Sequence, residues 1–282
     1  MKRIPSKSSS SLHAPRTVQR RRTGAAVADE RDDLAVEEPL EIRVEGRPVA
    51  VTMRTPGHDD ELTAGFLLTE GVVTRREDIV SIAPVAAKRG GGAEANIVDV
   101  RLARTEAVDF ARLTRHVFTA SSCGLCGKAT IAAVQAKNPA LGPEAGPRVT
   151  AKCLAEMVAT LSAAQTTFQR TGGLHATGLF TAEGRLLVLR EDVGRHNAVD
   201  KVLGHLLLNG RMDPSKLVLL VSGRVAFEIV QKALAARIAF IAAISAPTSL
   251  AVDFARTGGQ TLVGFLREGR MNIYAGADRV VG

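Results

Sequence analysis

The stretch LVLLVSGRVAFEIVQKALAARIAFIAAI, Leu217–Ile244, decides the fold. Leu217 to Val221 is wholly apolar and is closed off by Ser222-Gly223, the pattern of a strand buried on both faces. Val225 to Ala236 reads as a helix, and Ile238 to Ile244 as a second apolar run of strand length. A strand, a crossover helix and a strand in succession place the two strands parallel, with the helix on one face of the sheet. The same grammar extends outward. His175 to Phe180 and Leu186 to Leu189 read as strands joined at Glu183-Gly184. Val199, Val202, Leu203, Leu206 and Leu207 form one helical stripe. A short helix after Pro247 and strands at Gln260–Phe265 and Asn272–Tyr274 complete an α/β domain over residues 148–282.

Upstream, Leu40–Val44 and Val49–Met53 alternate as half-buried strands around a turn at Glu45-Gly46-Arg47. Asp59 and Asp60 open a helix through Leu62, Phe66 and Leu68, where acids suit the dipole. A further strand spans Ile97–Leu102. These elements read as a small α+β unit over residues 35–120. Residues 121–147 hold a cysteine motif, a helix from Ala129 to Gln135 and a Pro/Gly-rich linker from Pro139 to Pro147.

The net charge of +8 invites a nucleic-acid reading until it is located. Lys2, Arg3, Lys7, Arg16, Arg20, Arg21 and Arg22 all precede the first acid, Asp29, and removing those seven from +8 leaves +1. With Ser8 to Ser11 and few large apolar residues, residues 1–34 are expected to form a disordered basic tail. One Tyr and no Trp give little to stack on bases, so nucleic-acid binding is disfavoured. No run is long enough to span a bilayer, and no signal-type apolar segment opens the chain, so a cytoplasmic location is expected.

Ser121-Ser122-Cys123-Gly124-Leu125-Cys126-Gly127 is the sharpest chemical feature. Two thiols at this spacing can share a disulfide, bind a metal, or act as nucleophile and neighbour. A structural zinc needs four ligands, and no second pair stands at suitable spacing, so no metal site is expected. A thioredoxin-like pair would need a βαβ setting directly around it. The remaining reading is a thiolate on a glycine-flanked loop, favoured by Lys128 and a following helix N-terminus. Cys153, on the stripe Leu154, Met157, Val158 and Leu161, reads as an inert core thiol.

Three strand-to-helix junctions form a possible anion-binding rim. Arg190-Glu-Asp-Val-Gly-Arg-His-Asn-Ala-Val-Asp-Lys201 offers Arg195 and Lys201 to phosphate and His196 as a hydrogen-bond or proton donor; it reads equally as a turn with capping charges. Ser222-Gly223-Arg224 and Ser245-Ala-Pro-Thr-Ser249 repeat the geometry, although any helix welcomes Ser or Thr at its N-cap. Phe265-Leu266-Arg267-Glu268-Gly269-Arg270 is either a phosphate clamp or a charged hairpin. His175, after Gly172-Gly173, is either a hydrogen-bonded core residue or a ligand contact. No phosphate loop ending in Lys-Ser/Thr is present, which disfavours nucleotide hydrolysis.

Taken together, these motifs resemble the FdhD family of formate dehydrogenase accessory sulfurtransferases. The resemblance is carried by Cys123-Gly-Leu-Cys-Gly, Gly173-Leu-His-Ala-Thr-Gly-Leu-Phe, Glu191 to Lys201, Ser222-Gly-Arg, Ala246-Pro-Thr-Ser-Leu-Ala-Val and Phe265 to Tyr274, in family order. It implies a small N-terminal unit coupled to a cytidine-deaminase-like α/β domain. The deaminase zinc signature is absent, so deamination is not implied. It further implies sulfur transfer from a cysteine desulfurase to the Mo-bis(molybdopterin guanine dinucleotide) of formate dehydrogenase. That cofactor would be bound as substrate. Cys123 would carry a persulfide, with Cys126 as the second thiol and Phe265–Arg270 as the cofactor-binding segment. Family members are dimers, so a homodimer is expected. A cofactor chaperone without covalent chemistry is the competing reading.

Overall fold

The computed structural model describes residues 12–21, 23–24, 27–85, 96–105, 108–110, 138–210, 212–267 and 269–282. The first described element corrects the expected disordered tail over residues 13–34. β1 (His13–Arg20) and β2 (Ala28–Ala35) pair antiparallel, with Arg16 opposite Asp32 and Val18 opposite Glu30. Arg20 reaches Glu30 at 3.3 Å. The charges of this segment are neutralised across the ladder. The hairpin is also tied down, since Arg170 donates to Asp33 at 2.7 Å and Val36 N–H to Leu12 C=O at 3.1 Å. Residues 1–11 lie outside the described residues.

β3 (Glu38–Val44) and β4 (Arg47–Arg54) form the expected hairpin, with Glu45 and Gly46 both at positive φ in its turn. α1 (Asp59–Thr69) carries Asp59, Asp60 and Glu61 in its first turn. β5 (Ile79–Pro84), which the sequence reading passed over, and β6 (Ile97–Leu102) complete a sheet ordered β4-β3-β6-β5. Here β3 runs parallel to β6.

The second sheet follows from β7 (Val149–Thr150), α2 (Ala151–Ala164) and α3 (Thr166–Thr171). It is built from β8 (His175–Thr181), β9 (Leu186–Asp192), β10 (Leu217–Val221), β11 (Phe240–Ala243), β12 (Thr261–Arg267) and β13 (Arg270–Ala275). Between them lie α4 (Arg195–Asn209), α5 (Phe227–Ala235) and α6 (Ser249–Thr257). The sheet order is β13-β12-β11-β10-β8-β9, and only the β10-β11-β12 centre is parallel. The deciding stretch therefore reads correctly as β–α–β, with tighter bounds. Arg237 in the left-handed region and Ile238 N–H bonded to Ala233 C=O end α5 and delay the strand to Phe240. β14 (Val280–Val281) returns to pair with β7.

Alternation along β10 sorts the core into two layers. Val218 and Leu220 pack with Leu154, Met157 and Leu161 of α2. Leu219 and Val221 share a core with Val199, Val202 and Leu203 of α4 and Ile229 and Val230 of α5. Leu62, Ala64 and Leu67 of α1, together with Leu40, Ile42 and Val100 of the first sheet, belong to that same core. The two halves of the chain are thus joined by packing.

The joint is unusually close. A Cβ at Gly65 would collide with the Asp200 carbonyl, and one at Gly204 with the Glu61 carbonyl, so α1 and α4 meet backbone to backbone. Polar groups lock the same seam. Lys232 contacts both Asp200 carboxylate oxygens at 2.8–2.9 Å, and Thr69 donates to Asp200 at 3.1 Å. Arg190 grips Glu61 with Nε and Nη2, and His205 Nδ1 donates to the same carboxylate at 2.8 Å. Burial favours a neutral Glu61, but the bonds from Arg190 and His205 outweigh it and hold the carboxyl below the ordinary glutamate pKa. A depressed carboxylate contributes stability above its unfolded pKa and loses it as pH falls through the folded one. Denaturant midpoints should therefore drop on acidification below about pH 4.5. Glu61→Gln should lower stability at neutral pH and shrink that acid dependence.

Candidate functional site

The carboxyl ends of the parallel strands form a continuous rim, the position at which open α/β sheets bind ligands. After β10, Ser222 folds back onto β8: its N–H donates to Ala176 C=O and its Oγ accepts from Ala176 N–H, both at 2.9 Å. This puts Gly223 beside His175, where an added Cβ would sit 3.1 Å from Nδ1 and 3.9 Å from Arg195 Cβ. His175, Arg195, Ser222 and Gly223 are thus brought together, with Arg224 exposed next to them. Burial lowers the His175 pKa, and Arg195 and His196 lower it further, so the ring is neutral at pH 7.

The loops after β10 and β11 are stitched by Val225 N–H to Ala246 C=O at 3.1 Å and Thr248 N–H to Val225 C=O at 2.9 Å. Thr248 also caps α6 through Ala251 N–H. Ser245 C=O accepts from Phe265 N–H at 3.1 Å, carrying the rim to β12. Here the strand departs from its ladder. A bulge lies between Gly264 and Arg267, and Phe265 sits at φ 52°, a costly conformation for an aromatic residue. Gly264 has no room for a Cβ between Pro247, Tyr274 and Ser245. The Arg267 guanidinium lies 5.8 Å from the Phe265 ring centroid, within cation–π range.

Arg267 and Arg270 are exposed partners across the β12–β13 turn, which Gly269 closes at φ 71°. Leu266 turns the other way, into the core beside α2, so only its main chain can serve the rim. Glu268 lies outside the described residues, as do Cys123 and Cys126.

The Arg190–Lys201 motif divides between its two readings. Lys201 is buried against Asp192 at 2.7 Å and donates to Thr55 C=O at 2.8 Å, so it is not available to phosphate. Asp192 also accepts from Gly194 N–H, Asn197 Nδ2 and Thr55 N–H, and Asn197 donates to Met53 C=O. Glu191 caps α3 through Thr167 and Phe168 N–H. Arg195 and His196 are what this knot leaves facing the rim region. Glu228, not singled out by its sequence motif, joins them, its Oε2 lying 3.8 Å from His196 Nε2. Nothing in its sequence context separates it from an ordinary acid in a first helical turn.

Cys153 is half-buried, with Sγ 3.3 Å from Ala182 C=O. Burial raises its pKa, and Glu156 and Glu183 raise it further, which keeps it a thiol. Among the described residues, no His, Cys, Asp and Glu cluster suits a metal, and no helix is long and apolar enough to cross a membrane.

A mixed α/β domain with strand-to-helix junctions gathered on one rim defines the class, and comparison with known proteins supplies the family. The FdhD/NarQ family profile matches residues 35–281, and the chain belongs to that family. A sulfur carrier protein FdhD from Streptomyces coelicolor is 52% identical over 269 residues, covering 94% of each chain. One from Mycobacterium tuberculosis is 50% identical over 254 residues, covering 88% of this chain and 92% of that one. The crystal structure of a formate dehydrogenase accessory protein from Desulfotalea psychrophila superposes with a TM-score of 0.75 at 25% identity. It covers 96% of this chain and 100% of that one.

Proposed function

We propose that this chain is a sulfur carrier in formate dehydrogenase maturation, acting in the cytoplasm through a persulfide on Cys123. The observation that carries this reading is the combination, in one family member, of the Cys123–Cys126 motif with an exposed arginine pair beside a strained Phe265 on the sheet rim. In the first step the Cys123 thiolate attacks the outer sulfur of a desulfurase persulfide. A new S–S bond forms, and the donor cysteine leaves as thiolate. In the second, the bond to that outer sulfur breaks and its electron pair returns to Cys123. The acceptor metal supplies the two electrons that make the sulfur a sulfide ligand.

The rim holds the acceptor, Mo-bis(molybdopterin guanine dinucleotide), as substrate. Arg267 and Arg270 take its phosphates as charge-assisted donors, worth about 1.5–3 kcal/mol each. Arg267→Ala or Arg270→Ala should weaken calorimetric binding of a guanine dinucleotide roughly tenfold. Loading of sulfur onto the protein should not change. The reading as a whole is tested by incubating the protein with desulfurase and labelled cysteine and mapping label by mass spectrometry. One sulfur atom added at Cys123 supports it; an unlabelled protein that still matures the dehydrogenase replaces it with a cofactor chaperone.

A further inference from the structure

The turn from β9 into α4 carries no cap of its own. Gly194 stands at the N-cap position, where a Ser, Thr, Asp or Asn side chain usually holds the first turn, and no side-chain cap bond is made there. The turn is held from outside instead, by Thr55, the residue that follows β4. Thr55 is 1% exposed and turns each of its polar groups to this junction. Its N–H donates to Asp192 Oδ2 at 3.1 Å, its Oγ1 accepts from Val193 N–H at 3.1 Å, and its C=O accepts from Lys201 Nζ at 2.8 Å. Asp192 completes the link by accepting from Gly194 N–H at 2.8 Å.

The local sequence is arranged to deliver this residue. Pro56 confines the residue before it to extended backbone, which fixes where the Thr55 amide and carbonyl point. Gly57 at φ 96° and His58 at φ 56° then turn the chain sharply into α1. A left-handed conformation is costly for a residue with a side chain, and such strain persists only where the surroundings over-determine it. On the other side of the junction, Arg195 directly follows Gly194. A Cβ added at Gly223 would lie 3.9 Å from Arg195 Cβ and 3.1 Å from His175 Nδ1. A shift of Val193 and Gly194 therefore moves Arg195 relative to both neighbours.

We infer that Thr55 is a positioning residue of the rim: through Val193 and Asp192 it sets the β9–α4 turn so that Arg195 stands beside His175 and Gly223. The first sheet thus acts on the site of the second through hydrogen bonds. The inference rests on the proposed function, because it takes the rim to be where the acceptor is held. The hydroxyl is the separable part of the device. Substitution leaves the Thr55 amide and carbonyl in place, whereas Oγ1 can be removed alone.

Four full-length proteins test this: wild type, Thr55→Val, Thr55→Ser and Thr69→Val. Thr55→Val keeps the shape and removes the hydroxyl, Thr55→Ser keeps the hydroxyl, and Thr69→Val removes a hydroxyl bond to Asp200 elsewhere in the same interface. In calorimetry Thr55→Val should bind GDP about three- to tenfold more weakly, the effect of one lost hydrogen bond. Thr55→Ser should bind as wild type does, and so should Thr69→Val, despite a lower thermal midpoint. The His175 ring, whose pKa burial and then Arg195 hold down, should titrate at higher pH in Thr55→Val alone, as read by NMR. Loading of labelled sulfur should be the same in all four. If Thr55→Val does not fold, Thr55→Ala removes the hydroxyl without adding bulk and carries the same expectations. GDP affinity unchanged without the hydroxyl, or reduced equally in Thr69→Val, overturns the inference and leaves the sulfur-carrier reading intact. A wild-type protein that binds no GDP removes the rim as the acceptor's site, and the inference with it.

Discussion

Cys123→Ala should abolish sulfur loading and cut dehydrogenase maturation by roughly a thousandfold or more, as loss of a covalent nucleophile does elsewhere. Nucleotide affinity and thermal midpoint should not change, since the substitution removes a single sulfur atom. Cys126→Ala should impair transfer less, because a neighbouring thiol can assist or resolve a persulfide without carrying the sulfur. Cys153→Ala should leave loading intact, its thiol being held protonated beside Ala182 C=O, Glu156 and Glu183. Labelled sulfur retained in the Cys123 variant but lost in the Cys126 variant would exchange the two roles. Normal maturation by both would end the covalent mechanism.

Gly65→Ala should be among the most damaging single-carbon changes outside the chemistry, costing about 3 kcal/mol or more. The new Cβ meets the carbonyl oxygen, carbonyl carbon and Cα of Asp200, and backbone atoms inside a packed helix cannot step aside. Relief requires α1 and α4 to separate, which stretches the Lys232–Asp200–Thr69 bonds at the same seam. A buried Asp200 left without its lysine would add to the penalty. Denaturant unfolding should show the lower midpoint, and a variant within about 0.5 kcal/mol of wild type would mean that the helices are not locked at this crossing.

Much of this architecture is legible in the residues. The apolar run at Leu217–Val221, the α4 stripe and the alternation at Ile97–Leu102 each announce their element, because burial on a regular lattice imposes a regular period. The hairpin at residues 13–35 escapes that logic, since it buries little and is held by charges whose partners lie across the ladder and on Arg170. Of the site, the junction motifs and the Arg267–Arg270 turn can be found by type and spacing. What cannot be read is which charges the fold consumes. Lys201 and Arg195 look alike as phosphate donors in sequence, yet one is sealed against Asp192 and the other lies half-buried beside Gly223. Glu228 gains its meaning only from His196, which lies on a different helix.

The α1–α4 crossing also sets a schedule for synthesis. α1 leaves the ribosome with Leu62, Leu67 and the bare Gly65 face exposed, yet the helix that covers them begins about 125 residues later, a delay of roughly 6–25 s at ordinary elongation rates. Glu61 waits the same interval for Arg190 and His205. Throughout that window α1 can pack only against its own sheet, through Leu40, Ile42 and Val100, and the face that α4 will cover stays open.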